Sequence, residues 1–140
     1  LDNPKLQAVI NPRYKEGMSG SLQCGLKEIK DEFPSIMIIL GDQPFLDTGT
    51  INLLLHRFRS SERDICVPVY KESKGLPVCF SNKFYVDIME ITGDIGARHI
   101  IQKNPDHVFT AEIDNSDCFL DVDNKNDAAK LLSEFQKIIS

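Results

Sequence analysis

The residues best suited to chemistry stand where an apolar run ends: Ile36-Met37-Ile38-Ile39-Leu40 stops at Gly41-Asp42-Gln43-Pro44. Such a run suits a strand buried on both faces. In an open α/β sheet, ligands bind in the crevice at the carboxyl ends of the strands. Asp42 therefore stands where a carboxylate can hold a metal ion beside a phosphate, because Mg²⁺ is usually bound by one or two carboxylates together with phosphate oxygens and water. Gly41 allows close backbone approach and Pro44 turns the chain; the competing use of Asp42 is to cap that turn. A second candidate is Gly17-Met18-Ser19-Gly20-Ser21, which leads into a helical pattern. The unpaired N–H groups of a helix N-terminus attract anions, and Ser19 and Ser21 add hydroxyls, although the same residues also describe a plain serine N-cap. Third, the loop Gly93-Asp94-Ile95-Gly96-Ala97 is followed by Arg98, whose planar fork suits a phosphate; the alternative is a surface turn in which Arg98 pairs with Asp94. Lastly, Asp121 and Asp123 alternate along an extended piece and face opposite ways, so they can hardly bind the same ion. A solvated Asp at a helix start is the other use of that pair.

These residues need a scaffold of alternating strands and helices. Leu6–Ile10 reads as a strand, followed by a loop marked by Asn11-Pro12 and Glu16-Gly17. Leu22, Leu26, Ile29 and Phe33 have helical spacing that ends before Pro34, and Ile36–Leu40 is the next strand. Asp47 or Thr48 caps a helix running to about Phe58. This order predicts a parallel sheet with helices packed on it. Ile65–Tyr70 and Leu76–Phe80 form a hairpin across a polar turn. A short helix capped by Ser81 or Asn82 follows, then one or two helical turns over Ala97–Lys103 and a strand over His107–Ile113. Cys118–Val122 is a last extended piece, and Ala128, Leu131, Leu132 and Phe135 predict a closing helix from about Asn126 to Ile139.

The chain of 140 residues fits one domain, which buries roughly 68% of the surface its unfolded form exposes. Its 16 basic and 21 acidic residues give a net charge of −5 with no Lys/Arg block, which argues against a nucleic-acid partner. No apolar stretch approaches the ~20 residues of a membrane span, and the first residues lack a signal-peptide pattern, so no membrane association and a cytoplasmic location are expected. Cys24, Cys66, Cys79 and Cys118 form no Cys-x-x-Cys pair and read as reduced core thiols. His56, His99 and His107 show no zinc spacing, and the absence of Gly-x-Ser-x-Gly leaves a serine hydrolase unsupported.

Taken in order and spacing, Asn11-Pro12, Gly17–Leu22, Gly41–Phe45, Gly75-Leu76-Pro77-Val78, Gly93–Arg98 and Asp121-Val122-Asp123-Asn124 resemble the MobA-like nucleotidyltransferases, and within them the molybdenum cofactor cytidylyltransferase branch. The resemblance implies a three-layer αβα Rossmann-like fold of the nucleotide-diphospho-sugar transferase type, with a mostly parallel sheet and a β-hairpin. It implies transfer of CMP or another NMP from CTP or another NTP to the phosphate of the molybdopterin cofactor or a similar phosphorylated acceptor, with Mg²⁺ as cofactor and pyrophosphate released. By the same resemblance Asp42 is a metal ligand and, with Arg98, catalytic. Gly17, Met18, Ser19, Gly20, Ser21 and Gly41 lie at the nucleotide, while Gly93, Asp94, Gly96 and Arg98 lie at the acceptor. One of Asp121 and Asp123 is a second acidic contact near the metal.

Gly75-Leu76-Pro77 departs from the Gly-His-Pro often found in this branch, which leaves open a sugar phosphate or another alcohol phosphate as acceptor. The family's glycine-rich loop, Leu-Ala-Ala-Gly-x-Ser-x-Arg-Met-Gly with a following Lys, does not occur in these 140 residues. The expectation is thus the carboxyl-terminal portion of such a domain over residues 1–140, lacking the first strand-helix units. The Ile36–Leu40 strand would then have an open edge favouring a homo-oligomer or marginal stability, and the isolated chain would be inactive. The alternative function is a non-catalytic nucleotide- or pterin-binding module, or a regulatory one, in molybdoenzyme maturation.

Overall fold

The computed structural model describes residues 5–94, 96–114, 117–119, 122, 129 and 132. Helix α1 (Met18–Ile29) starts at Gly17 and stops short of Pro34. It is followed by β1 (Ser35–Ile38) and α2 (Thr48–Ser60). Asp47 caps α2, accepting a 2.7 Å bond from the Thr50 N–H, the geometry that its short carboxylate offers at an N-cap. Strands β2 (Ile65–Tyr70), β3 (Ser73–Lys74) and β4 (Val78–Ser81) come next. A 3₁₀ turn over Asn82–Phe84 leads into α3 (Tyr85–Glu90), and α4 (Arg98–Lys103) precedes β5 (Val108–Glu112).

The sheet runs β1-β4-β2-β3, with β5 paired to β2. β4 is antiparallel to both β1 and β2, with Ile36 opposite Phe80 and Cys66 opposite Cys79, while β5 is parallel to β2 from Ile65↔Val108 to Val69↔Glu112. It follows that β1, β2 and β5 run in one direction and β4 and β3 in the other. The carboxyl ends of those three strands share one rim.

Strand alternation sorts side chains into two layers. Ile65, Val67, Val78 and Phe80 pack with Leu26, Ile88 and Ile100 from α1, α3 and α4, whereas Cys66, Cys79 and Ala111 pack with Leu54 of α2 and Cys118. The fold is therefore α/β with three layers, as expected. Phe80, Ile65, Ile88 and Leu54 have no exposed surface, each such burial contributing about 1.5–3 kcal/mol. The four cysteines are free, and burial pushes the thiols of Cys66 and Cys79 up to about 11 and about 12, so both stay protonated at neutral pH.

Four readings differ from the structure. Where a mostly parallel sheet is expected, three of the four strand pairings among the described residues are antiparallel, because β4 lies between β1 and β2 and β3 folds back on β2. Leu6–Ile10 is not a strand: it has no ladder partner among the described residues, with Leu6 55% and Ile10 88% exposed. Its apolar pattern fits a strand, but a strand needs a neighbour to hydrogen-bond. β1 ends at Ile38 rather than Leu40 for a related reason, since β4 is its one pairing partner among the described residues. In the Cys118–Val122 stretch, residues 117–119 form a 3₁₀ turn rather than an extended piece. The closing helix lies outside the described residues apart from positions 129 and 132. No helix among the described residues is long and apolar enough to cross a membrane.

Two polar devices fix the helices and the lower rim. Gln23 of α1 directs its Nε2 at the carbonyls of Ile88, Met89 and Ile91, the shortest bond 2.7 Å, and so satisfies the open end of α3. Gln23→Ala leaves those part-buried carbonyls unpaired. It should lower unfolding free energy by about 1–3 kcal/mol in urea titrations, with a loss below 0.5 kcal/mol counting against this role.

At the amino ends of β2 and β5, opposite the rim described above, Asp64 accepts from Ser81 Oγ at 3.0 Å, meets Lys83 Nζ at 3.0 Å and holds His107 Nδ1 at 2.8 Å. The Asp64 carboxyl is lowered to about 2, first by the His107 bond, against a rise from burial, and then by Lys83 and Ser81. A carboxyl lowered in the folded state stabilises above its ordinary pKa, and that stability is lost as pH falls through the folded value. Allowing for the exposure of Lys83 and His107, wild type should lose about 1–2 kcal/mol more than Asp64→Asn between pH 4.5 and pH 2. Parallel acid-unfolding curves for the two proteins would contradict it.

Candidate functional site

Asp42 lies four residues beyond the end of β1, in the turn Gly41-Asp42, and is exposed. Its carboxylate makes no hydrogen bond or ion pair among the described residues; its backbone carbonyl accepts from the Val122 N–H at 3.0 Å. That bond brings the strand end and the Val122 region to one place. Asp121 and Asp123 lie outside the described residues. The turn is closed by the Leu46 N–H on the Gln43 carbonyl, at 3.3 Å, so the Asp42 side chain is not what closes it. Among the described residues no three His, Cys, Asp or Glu side chains form a metal cluster. An exposed carboxylate of this kind fits a cation that takes further ligands from phosphate and water.

The two glycine loops, 76 residues apart at Met18 and Asp94, are one structure. The Ser19 N–H and Oγ both donate to the Gly93 carbonyl, at 3.2 and 2.6 Å, and the Met18 N–H donates to Asp94 Oδ1 at 3.0 Å. Asp94 is thus the anion at the start of α1. Ser19 is buried with its hydroxyl spent on Gly93; Ser21 faces the other way, is exposed, and accepts from Asn11 Nδ2 at 3.0 Å. Gly17 (φ +107°) and Gly96 (φ +57°) occupy the left-handed side of the map, and a Cβ on Gly96 would meet the Met18 sulfur at 3.1 Å. Gly20 sits in the first turn of α1 near Asn11. Arg98 opens α4, is exposed, and makes no hydrogen bond or ion pair among the described residues. The alternative Asp94–Arg98 pairing is not formed, because Asp94 caps α1 instead.

A groove of about 1520 Å³ runs between α1, the open edge of β1 and the segment carrying Gln7 and Val9. Met18, Ser21, Asp94, Gly96 and Arg98 line it, as do Leu40 and Gln43 on either side of Gly41-Asp42. It is larger than the ~300–1,000 Å³ of a small-molecule pocket. One residue was not singled out by spacing: Gln43 is 9% exposed, and its Oε1 is buried without a partner among the described residues. Leaving such an acceptor unpaired costs about 1–3 kcal/mol, and only a polar residue in the turn at a strand end hints at it in sequence.

The model of the MobA-like NTP transferase domain matches residues 1–108. The chain belongs to this family. Solved structures with the same fold are the Rv0371c homolog from Mycobacterium sp. strain JC1 (27% identity, TM-score 0.72), covering 84% of this chain and 58% of that one, and Rv0371c from Mycobacterium tuberculosis (25%, 0.71), covering 82% and 59%. A complex of Rv0371c with manganese from the same organism (26%, 0.69) covers 81% and 59%. This MobA-like chain therefore spans just under three-fifths of the length of those structures. No relative of curated function matches the sequence.

Proposed function

We propose that this chain is the carboxyl-terminal part of a metal-dependent nucleotidyltransferase. It transfers CMP or another nucleotidyl group from an NTP to the phosphate of a molybdopterin-type or other phosphorylated acceptor. The observation that carries this proposal is the Asp42 carboxylate at the carboxyl rim of β1, exposed and without a partner among the described residues, in a chain of the MobA-like family. The manganese complex of Rv0371c supports a divalent cation as cofactor, with Mg²⁺ the expected one. The remaining strands of the domain would pair with the open edge of β1, which otherwise favours association of copies.

In the reaction an acceptor phosphate oxygen attacks the α-phosphorus in line, forming a new P–O bond as the Pα–O bond to the β-phosphate breaks and pyrophosphate leaves. Asp42, with one of Asp121 and Asp123 as the second acidic contact, would hold a divalent cation, which would supply charge neutralisation on the phosphates. Asp42 fixes where that charge sits. Arg98 offers the acceptor's phosphate a guanidinium with no partner among the described residues, and the Gly17–Ser21 turn with Gly41 gives close backbone approach to the nucleotide. The loop Gly93–Gly96 positions both, through Ser19 and Met18.

Calorimetric titration of CTP, GTP and ATP, with and without Mg²⁺ or Mn²⁺, tests the proposal alongside a pyrophosphate-release assay with phosphorylated acceptors. Metal-dependent binding of one nucleotide above the others is expected. Equal weak heats, unchanged by chelation, would rule out the site; metal-dependent binding with no pyrophosphate from any NTP would instead favour the non-catalytic module.

A further inference from the structure

Gln43 is polar, nine-tenths buried, and lines the groove beside the proposed metal ligand. Its backbone carbonyl is occupied by the Leu46 N–H, but its side-chain Oε1 is shut away from solvent without a hydrogen-bond partner among the described residues. It differs in this from buried Ser19, whose hydroxyl is satisfied by Gly93. Buried polar groups are almost always hydrogen-bonded, and an orphan marks a place where something else supplies the partner. A carboxamide oxygen can only accept, so the partner must bring an N–H or O–H.

The groove that Gln43 lines is largely apolar, with charge added by Glu28, Lys74, Asp94 and Arg98. Ile38, Leu40 and Leu76 line it, as do Gly75 and Phe119. The Phe119 ring lies so close over Gly75 that a Cβ there would fall 2.5 Å from it, which keeps an aromatic face where a side chain would otherwise stand. The Val122 N–H, bonded to the Asp42 carbonyl, ties the chain just beyond Phe119 to the Asp42 turn. A largely apolar groove that includes an aromatic ring and one unsatisfied acceptor matches a planar heterocycle that presents an amino group on its edge.

We infer that Gln43 is a specificity-determining residue whose carboxamide oxygen receives an N–H from the amino-bearing edge of a pyrimidine-type ring. The proposal rests on the nucleotidyltransferase reading above and adds to it a residue that touches the ligand's ring and not its phosphates. That ring chemistry has two sources in the proposed reaction, the nucleobase and the ring system of the acceptor, and the test separates them.

Calorimetry on the chain compares two ligand pairs in the presence of Mg²⁺: CTP against the ribonucleoside triphosphate of 2-pyrimidinone, which lacks the 4-amino group, and pterin against 4-oxopteridine, which lacks the 2-amino group. Wild type should lose at least 10-fold in affinity when the amino group is removed in one pair, the nucleotide pair placing the base at Gln43 and the pterin pair placing the acceptor. Gln43→Leu should bind both members of that pair alike, while Gln43→Glu, which keeps acceptor oxygens, should retain the preference. Indifference of wild type to the amino group in both pairs overturns the assignment whatever the variants do. A preference for the members without the amino group also overturns it, because the amide would then present Nε2 to the ring. Triphosphate binding that depends on Asp42 but ignores the amino group in both pairs defeats this inference alone; absence of any metal-dependent binding defeats it together with the enzymatic reading.

Discussion

Asp42→Asn should reduce metal-dependent triphosphate affinity by about 100-fold, roughly 2.7 kcal/mol, while leaving the melting temperature within a degree or so of wild type. The asparagine keeps the shape of the side chain and loses its charge, and a hard cation such as Mg²⁺ depends on that charge. Stability should not follow, because the carboxylate is exposed and makes no bond among the described residues, and substitutions away from structural contacts usually fall within about 0.5 kcal/mol. The tie between the strand end and the Val122 region runs through the backbone carbonyl of Asp42, which the substitution preserves. Titration of the nucleotide with and without metal, beside a thermal melt, separates the two effects. An affinity unchanged in the presence of metal would remove Asp42 from the site, and a large loss of stability would show that it serves the fold.

The parts of this architecture that were legible in the sequence are those governed by neighbours along the chain. Ile65–Tyr70 reads as a strand and is β2 with the same bounds, because buried β-branched runs leave little choice. Asp47 was one of the expected caps and caps α2 through Thr50, since an N-cap reaches only three residues ahead. The α/β class followed from the alternation of elements, and its three layers from the resemblance to the MobA-like family. Less legible was anything joining distant residues. The antiparallel insertion of β4 between β1 and β2 is a matter of topology, and no local pattern separates it from a hairpin lying at the sheet edge.

The same limit applies at the site. Asp42 was visible because a carboxylate closing an apolar run is a local signal, and its place at the carboxyl rim agrees with the direction of β1, β2 and β5. The Ser19 hydroxyl looked available for a ligand, yet it is spent on a carbonyl 74 residues away. A pair between Asp94 and Arg98 was the alternative to Arg98 as a phosphate-binding residue, but the start of α1 holds Asp94. A helix N-terminus offers both a dipole and an unpaired N–H, whereas an exposed ion pair contributes little.

That junction sets the largest structural effect expected of a single methyl group. Gly17 has φ +107° and ψ 174°, a region essentially restricted to glycine and worth about 1–3 kcal/mol of strain for any other residue. An added Cβ would also lie 2.8 Å from both the carbonyl carbon and oxygen of Gly93. Those are backbone atoms of the group that receives both Ser19 bonds, so they cannot yield without opening the junction. Gly17→Ala should therefore destabilise the fold by about 3 kcal/mol or more, strain and overpacking adding. Gly25→Ala should act in the opposite direction. Gly25 lies inside α1 with nothing within 4 Å of its added Cβ, so alanine gains up to about 1 kcal/mol of helix propensity. Urea unfolding of the two variants beside wild type reads both signs together. A Gly17→Ala protein within 0.5 kcal/mol of wild type would mean that the two glycine loops are not locked together, and the positioning of Arg98 by that lock would fall with it.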